Sequence, residues 1–152
     1  LHVLSALAKR FQVSFEALCI RFIKFTTQRA ILVYWDNGFV KYEWRSSSAV
    51  KTRARIRRTD DPQEPLPGTL AADSTVEQEW DGTEMSAAIW CPEEAPHMKL
   101  REFKHSYTTG DRVLTLLLLE SAEPRSWDRS WQDGESFDSF DQFVSNGQLP
   151  VR

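Results

Sequence analysis

Residues 112–120, Arg-Val-Leu-Thr-Leu-Leu-Leu-Leu-Glu, decide the fold. The run through Leu119 is too apolar to be half exposed and far shorter than the roughly 18 residues a membrane-spanning helix needs, so it reads as a central strand covered on both faces. Thr109-Gly110-Asp111 turns the chain just before it. In residues 98–107, Leu100, Glu102 and Lys104 alternate with Arg101, Phe103 and His105, which is the period of a neighbouring strand. Farther upstream, residues 31–35 and 39–44 flank Asp36-Asn37-Gly38. An Asn-Gly pair accepts the positive φ of a type I′ turn, and the flanks are β-branched and aromatic, so this is a hairpin. On its second strand Val40, Tyr42 and Trp44 alternate with Phe39, Lys41 and Glu43. A lone hairpin is unstable in water, so it must join the same sheet.

Between these strands the pattern is less regular. Residues 49–58 again alternate, with Lys51, Arg53, Arg55 and Arg57 on one side and Val50, Thr52, Ala54 and Ile56 on the other, which predicts a strand with a basic face. Residues 60–68, with Pro62, Pro65, Pro67 and Gly68, form a loop by composition. Residues 69–80 read as a short acidic helix, and residues 85–90 as a strand ended by Cys91-Pro92.

Two amphipathic helices precede the sheet. Leu4, Leu7, Ala8 and Phe11 fall at i, i+3, i+4 and i+7, and Leu18, Cys19, Phe22 and Phe25 continue an apolar stripe after Gln12-Val13-Ser14. Ser14 is a good N-cap and Glu16 suits the first turn. The class is therefore α+β: an N-terminal helix pair over residues 1–27, then a mainly antiparallel sheet of five or six strands with a flanking helix over residues 28–121. After Ser121 the composition shifts to Ser, Asp, Trp, Arg and Gly, and residues 122–152 read as a polar, partly disordered tail. There Trp127, Trp131, Phe137, Phe140 and Phe143 stand among acidic residues, the three Phe near helical spacing; packing on the domain is the simpler expectation for them than docking on a partner.

A hydrophobic content of 41%, with six Trp and nine Phe, argues against wholesale disorder. Cys19 and Cys91 have no Cys-x-x-Cys or His partner at metal-ligand spacing and read as reduced, packed thiols of a cytoplasmic protein. No signal peptide is evident. The net charge of -3 hides an asymmetry: residues 1–58 hold 12 Lys and Arg against 3 Asp and Glu, and residues 59–152 hold 7 against 19. Such a dipole steers a polyanion toward the first half, or the acidic half folds over the basic one and neutralises it; the second reading is favoured.

Few residues offer catalysis. His2, His97 and His105 have no neighbouring carboxylate or Cys to form an acid–base or nucleophile pair, and no glycine-rich phosphate loop or His-Glu-x-x-His helix occurs, so a complete enzyme is not expected. In a DNA-binding helix-turn-helix the first residues of the second helix face the bases. Here they are Ser14, Phe15 and Glu16, none of which makes the bidentate base contacts of Arg, Lys, Asn or Gln. Lys9, Arg10, Arg21 and Lys24 could still touch phosphate. So could Lys51, Arg53, Arg55 and Arg57, with Trp35, Tyr42 and Trp44 stacking nearby, although a basic strand face also protects a sheet edge from aggregation.

The string Leu7, Ala8, Arg10, Phe11, Val13, Ser14, Glu16, Ala17, Leu18 resembles the segment that follows the zinc-peptidase domain in ImmA/IrrE metallopeptidases, where it forms a helix-turn-helix-like unit. Tyr107 and the apolar run to Glu120-Ser121 look like the closing sheet of the GAF-like C-terminal region in longer members. The resemblance covers residues 1–121, most specifically at the start. It implies a bacterial stress-response setting in which a zinc protease cleaves a repressor protein. The His-Glu-x-x-His and third zinc ligand of the family would fall before Leu1, so no catalytic or metal residue carries over, and zinc is expected only in an N-terminal protease domain missing from this chain. Leu1 is not an initiator Met and the first helix begins almost at once, so a fragment lacking its N-terminal portion is expected. On this reading the chain is a non-catalytic regulatory half: a helix-turn-helix-like connector joined to a GAF-like sensory domain, with Trp35, Trp44 and Trp90 lining a pocket for a small-molecule signal. The alternative is a DNA-binding regulator using the same helix pair. Neither reading involves a membrane.

Overall fold

The apolar run forms β5 (Arg112–Leu119), the middle strand of a five-stranded antiparallel sheet. Its neighbours are β1 (Arg29–Asp36) and β4 (Lys99–Ser106), and the edges are β2 (Phe39–Arg45) and β3 (Gln78–Ser86), giving the order β2-β1-β5-β4-β3. The computed structural model describes residues 1–59, 62–108 and 111–122. The chain divides into two units, Leu1–Ser121 and Ala122–Arg152; the aromatic positions from Trp127 to Phe143 lie outside the described residues.

Register explains why β5 is apolar at all but two positions. Leu116 stands opposite Leu32 on one side and Phe103 on the other, and Leu117 opposite Ile31 and Glu102. One face of the sheet, carrying Ile31, Val33, Trp35, Leu100 and Leu117, packs against Ala49, Ala54, Ile56, Leu66 and Trp90. The opposite face, carrying Leu32, Tyr34, Phe103, Leu114 and Leu116, packs against Cys19 and Ile23. A strand sandwiched this way buries alternate side chains in two different cores. The β1–β2 hairpin turns at Asn37 (φ 53°) and Gly38 (φ 79°), the left-handed pair a type I′ turn requires.

The helix pair is α1 (His2–Phe11) and α2 (Phe15–Phe25). Gln12 closes α1 in the left-handed conformation, and the Ser14 hydroxyl accepts the Ala17 N–H at 3.1 Å to open α2. Leu4, Cys19, Ile20 and Ile23 contribute to the inner stripe, and the Leu1 backbone nitrogen donates to the Trp80 carbonyl at 2.7 Å, tying α1 to the edge strand β3. Phe11 and Phe25, read as the continuation of that stripe, instead stay 63% and 74% exposed.

Three sequence expectations are corrected. Residues 49–58 are not a strand: α3 (Ser47–Lys51) forms first, capped by buried Ser46, whose hydroxyl accepts the Ala49 N–H and donates to the Gln28 carbonyl. After Arg53, at φ 60°, the chain runs extended without a strand partner. The alternation in that stretch is nonetheless real, with Ala54 and Ile56 buried and Arg55 and Arg57 outside. Residues 69–80 are not a helix: they pass through turns at 69–75 and enter β3 at Gln78. Residues 85–90 split at Ser86, where β3 ends and the single turn α4 (Ala87–Trp90) swings Trp90 into the core.

The connection from β2 to β3, residues 46–77, thus covers one face of the sheet, and the helix pair covers the other.

Candidate functional site

Two charged residues of β4 point into the core beside Leu100. Glu102 is fully buried; its carboxylate accepts the Ala71 N–H at 2.8 Å and the Trp90 Nε1–H at 3.1 Å. Burial pushes its pKa up, against the opposing pull of those donors and of Lys104. Lys104 is 2% exposed and donates from Nζ to the Asp73 carbonyl at 2.6 Å. Burial pulls the pKa of this ammonium down, while the carboxylates of Asp73 and Glu102 work the other way. Between them the two side chains fasten residues 71–73, which lie in no helix or strand, to the sheet.

Lys104 also lies at the base of a cleft of about 590 Å³ at the end of the sheet where β1 turns into β2. Trp35 shares that base, its own Nε1–H donated to Thr115 Oγ1 at 3.0 Å. Glu64, Glu77, Asp111 and Arg112 stand on the walls. An indole, an ammonium and charges of both signs around an open concavity suit a small polar molecule held by charge-assisted hydrogen bonds over an aromatic floor.

The three tryptophans expected to share a pocket are not brought together. Trp35 is in the cleft. Trp90 lies 6.2 Å from it, ring centre to ring centre, but is wholly buried, with its indole N–H committed to Glu102. Trp44 packs on the other face, 4.2 Å from the ring of Tyr42.

The basic residues are likewise divided. Lys9 and Arg10 end α1 on the helical side, whereas Lys51, Arg53, Arg55 and Arg57 belong to the connection on the opposite face. Arg55 pairs with Glu93 at 2.8 Å, Arg57 donates to the Ala88 carbonyl at 3.2 Å, and Arg29 forms a buried pair with Glu94. Glu93 and Glu94 come from the acidic half of the sequence, so charge from the two halves is joined at these points. The first residues of α2 face the sheet: Phe15 stacks on Trp80 and meets His105 edge-on at 4.9 Å, and Glu16 accepts the Tyr42 hydroxyl.

Cys19 and Cys91 are buried free thiols, each pushed up to about 12 by burial, which keeps them protonated and unreactive near neutral pH. Among the described residues no three His, Cys, Asp or Glu side chains gather as metal ligands, and no helix is long and apolar enough to cross a membrane.

Sequence reasoning missed Lys104, Glu64, Glu77, Asp111 and Arg112 as cleft residues. A signal for the first was present, because a Lys at the same period as Leu100, beside an all-apolar strand, must lie on a covered face. The four wall residues come from loops and strand ends that carry no periodicity. The sequence matches no protein-family model and no curated protein.

Proposed function

We propose that this chain is a regulatory domain that binds a small polar molecule in the Trp35–Lys104 cleft and transmits the event through α1 and α2 to a neighbouring module. The observation that carries this reading is the buried ammonium at the cleft floor. A hydrogen bond from β4 to the Asp73 carbonyl needs only a neutral donor, whereas burying a charge costs several kcal/mol. The carboxylates of Asp73 and Glu102 offset part of that cost, and a ligand with an acceptor or anionic group would complete the hydrogen bonding of the ammonium. The route outward is short: β1 and β5 carry Trp35 and Val113 at the cleft, while Leu32 and Leu114 of the same strands pack in the cluster that holds Cys19 and Ile23 of α2.

The resemblance in residues 7–18 makes the neighbouring module a zinc peptidase of the ImmA/IrrE kind acting on a transcriptional repressor, with the sheet as a GAF-like sensor. A His-Glu-x-x-His in the reading frame before Leu1 supports that pairing; an in-frame start codon next to Leu1 removes it. Ligand binding itself is tested by a thermal-shift screen of polar metabolites against the wild-type chain and Lys104→Met. A compound that raises the wild-type midpoint and leaves the folded variant unmoved is the expected result, and stabilisation undiminished by the substitution refutes the site.

A further inference from the structure

The helix pair has a second apolar face, directed away from the sheet. Phe11, Val13 and Phe25 are 63%, 45% and 74% exposed, and with Ala17 and Leu18 they line a groove of about 740 Å³. Among the described residues nothing covers this face, and Cys19 and Ile23 bury the opposite side of α2. Exposing two phenylalanines and a valine side by side is costly in water unless the face is covered in use.

Charge narrows what covers it. Arg21 and Lys24 lie in the groove, Lys9 and Arg10 stand at the exposed end of α1, and none of the four is paired with a carboxylate among the described residues. Arg10 and Arg21 instead lie over the rings of Phe11 and Phe25, at 5.9 and 5.6 Å. The one carboxylate of the helix pair, Glu16, is turned inward to Tyr42. The groove follows α2 from Ala17 to Phe25, about 13 Å at 1.5 Å per residue, which matches roughly two and a half turns of a docked helix. An apolar trough of that length with an all-basic rim fits an amphipathic helix with apolar residues at i, i+3 and i+7 and acidic residues flanking them.

We propose that the α1–α2 groove docks an acidic amphipathic helix of a partner protein, with Phe11 and Phe25 as the apolar anchors and Arg10, Arg21 and Lys24 as the charged rim. This surface is separate from the cleft and stands or falls without it.

The test uses the full chain and two fluorescent synthetic helices of identical apolar pattern, one with Glu and one with Lys at the flanking positions, measured by anisotropy at low and high salt. The Glu peptide is expected to bind, to weaken at least about tenfold with Arg21→Glu/Lys24→Glu or with Phe25→Ser, and to weaken with salt as exposed charge pairs do. The Lys peptide is expected not to bind. Both variants alter exposed side chains, and circular dichroism with an unchanged urea midpoint establishes that they are folded. Equal binding of the two peptides, no binding of either, or affinity indifferent to the substitutions overturns the proposal. Two further arms separate other occupants. Concentration-dependent dimerisation abolished by Phe25→Ser assigns the face to a second copy, and binding to phosphatidylserine vesicles in preference to the Glu peptide assigns it to a membrane surface; either result also overturns the proposal.

Discussion

Removing the guanidinium of Arg29 tests how the sheet is joined to its cover. Arg29 opens β1 with its side chain 5% exposed, and it makes three charge-assisted hydrogen bonds: Nε to Thr52 Oγ1 at 2.9 Å, Nη1 to the Glu120 carbonyl at 2.8 Å and Nη2 to Glu94 Oε1. The Glu94 side chain is 6% exposed. One residue therefore links β1 to the end of α3, the end of β5 and the loop after α4. Arg29→Met leaves the Glu94 carboxylate buried without its partner, and breaking a buried pair from one side costs about 3–5 kcal/mol. At roughly 3–4 °C per kcal/mol for a unit of this size, the melting midpoint should fall by about 9–20 °C. Arg29→Met/Glu94→Leu removes both charges and should lose less than the Arg29→Met single variant, because no ion is left unpaired. Urea unfolding followed by tryptophan fluorescence, at physiological and high salt, reads all three proteins; the loss should persist at high salt, since buried pairs are little screened. A loss under about 1 kcal/mol for Arg29→Met, or a double variant at least as unstable as Arg29→Met, refutes the reasoning.

His105 should make stability depend on pH. Burial beside Phe15, Trp80 and Tyr107 holds its imidazole below the ordinary range, so below about pH 6.5 the unfolded chain binds the proton first and stability falls as pH drops toward the folded value. Glu102 has the opposite sign: its raised carboxyl pKa means that acidification through that value relieves a burial penalty. A midpoint that declines from pH 7 to 5.5 in the wild type and flattens in His105→Phe is expected; identical slopes contradict it. Gly82 occupies the bulge between Glu79 and Thr83 at φ +84°, and a Cβ there would come within 2.5 Å of Arg101 Cγ and 2.6 Å of Phe103 Cε1. Gly82→Ala should cost about 1–3 kcal/mol in urea unfolding, and an unchanged midpoint would show that β3 shifts freely. Because Ser14, Phe15 and Glu16 are committed to capping and to the sheet, duplex DNA titrated at low salt should give no saturable binding sensitive to base sequence. Tight binding lost on Ser14→Ala would restore the alternative of a DNA-binding regulator.

The parts of the fold legible in the sequence were those whose signal is local. β5 announces itself by apolarity on both faces, the hairpin by Asn37-Gly38, and the helix pair by Ser14 and the 3.6-residue period. Residues 53–58 misled because alternation records which side chains are buried and not whether the backbone has a strand partner. Ala54 and Ile56 are buried as predicted, yet Arg57 N–H bonds to the Trp90 carbonyl instead of to a neighbouring strand. β3 was hidden because an edge strand with Glu79, Asp81 and Glu84 on it shows little apolar alternation. Spacing alone points Phe11 and Phe25 to the core, but a helix wide in apolar residues has two faces to offer and the sheet covers one. The cleft was the least legible feature, since its walls combine strand ends with the 64–77 segment and only the fold brings them together.

Binding in the cleft is measured most directly by amide and indole chemical-shift mapping of the full chain during titration with stabilising polar metabolites. Shifts concentrated at the Trp35 indole, Lys104, Ser106 and Val113, spreading to Cys19 and Ile23 of α2 and absent in Lys104→Met, are the predicted result. Shifts centred on Trp44 and its face of the sheet, or none with any compound that stabilises the protein, would contradict it.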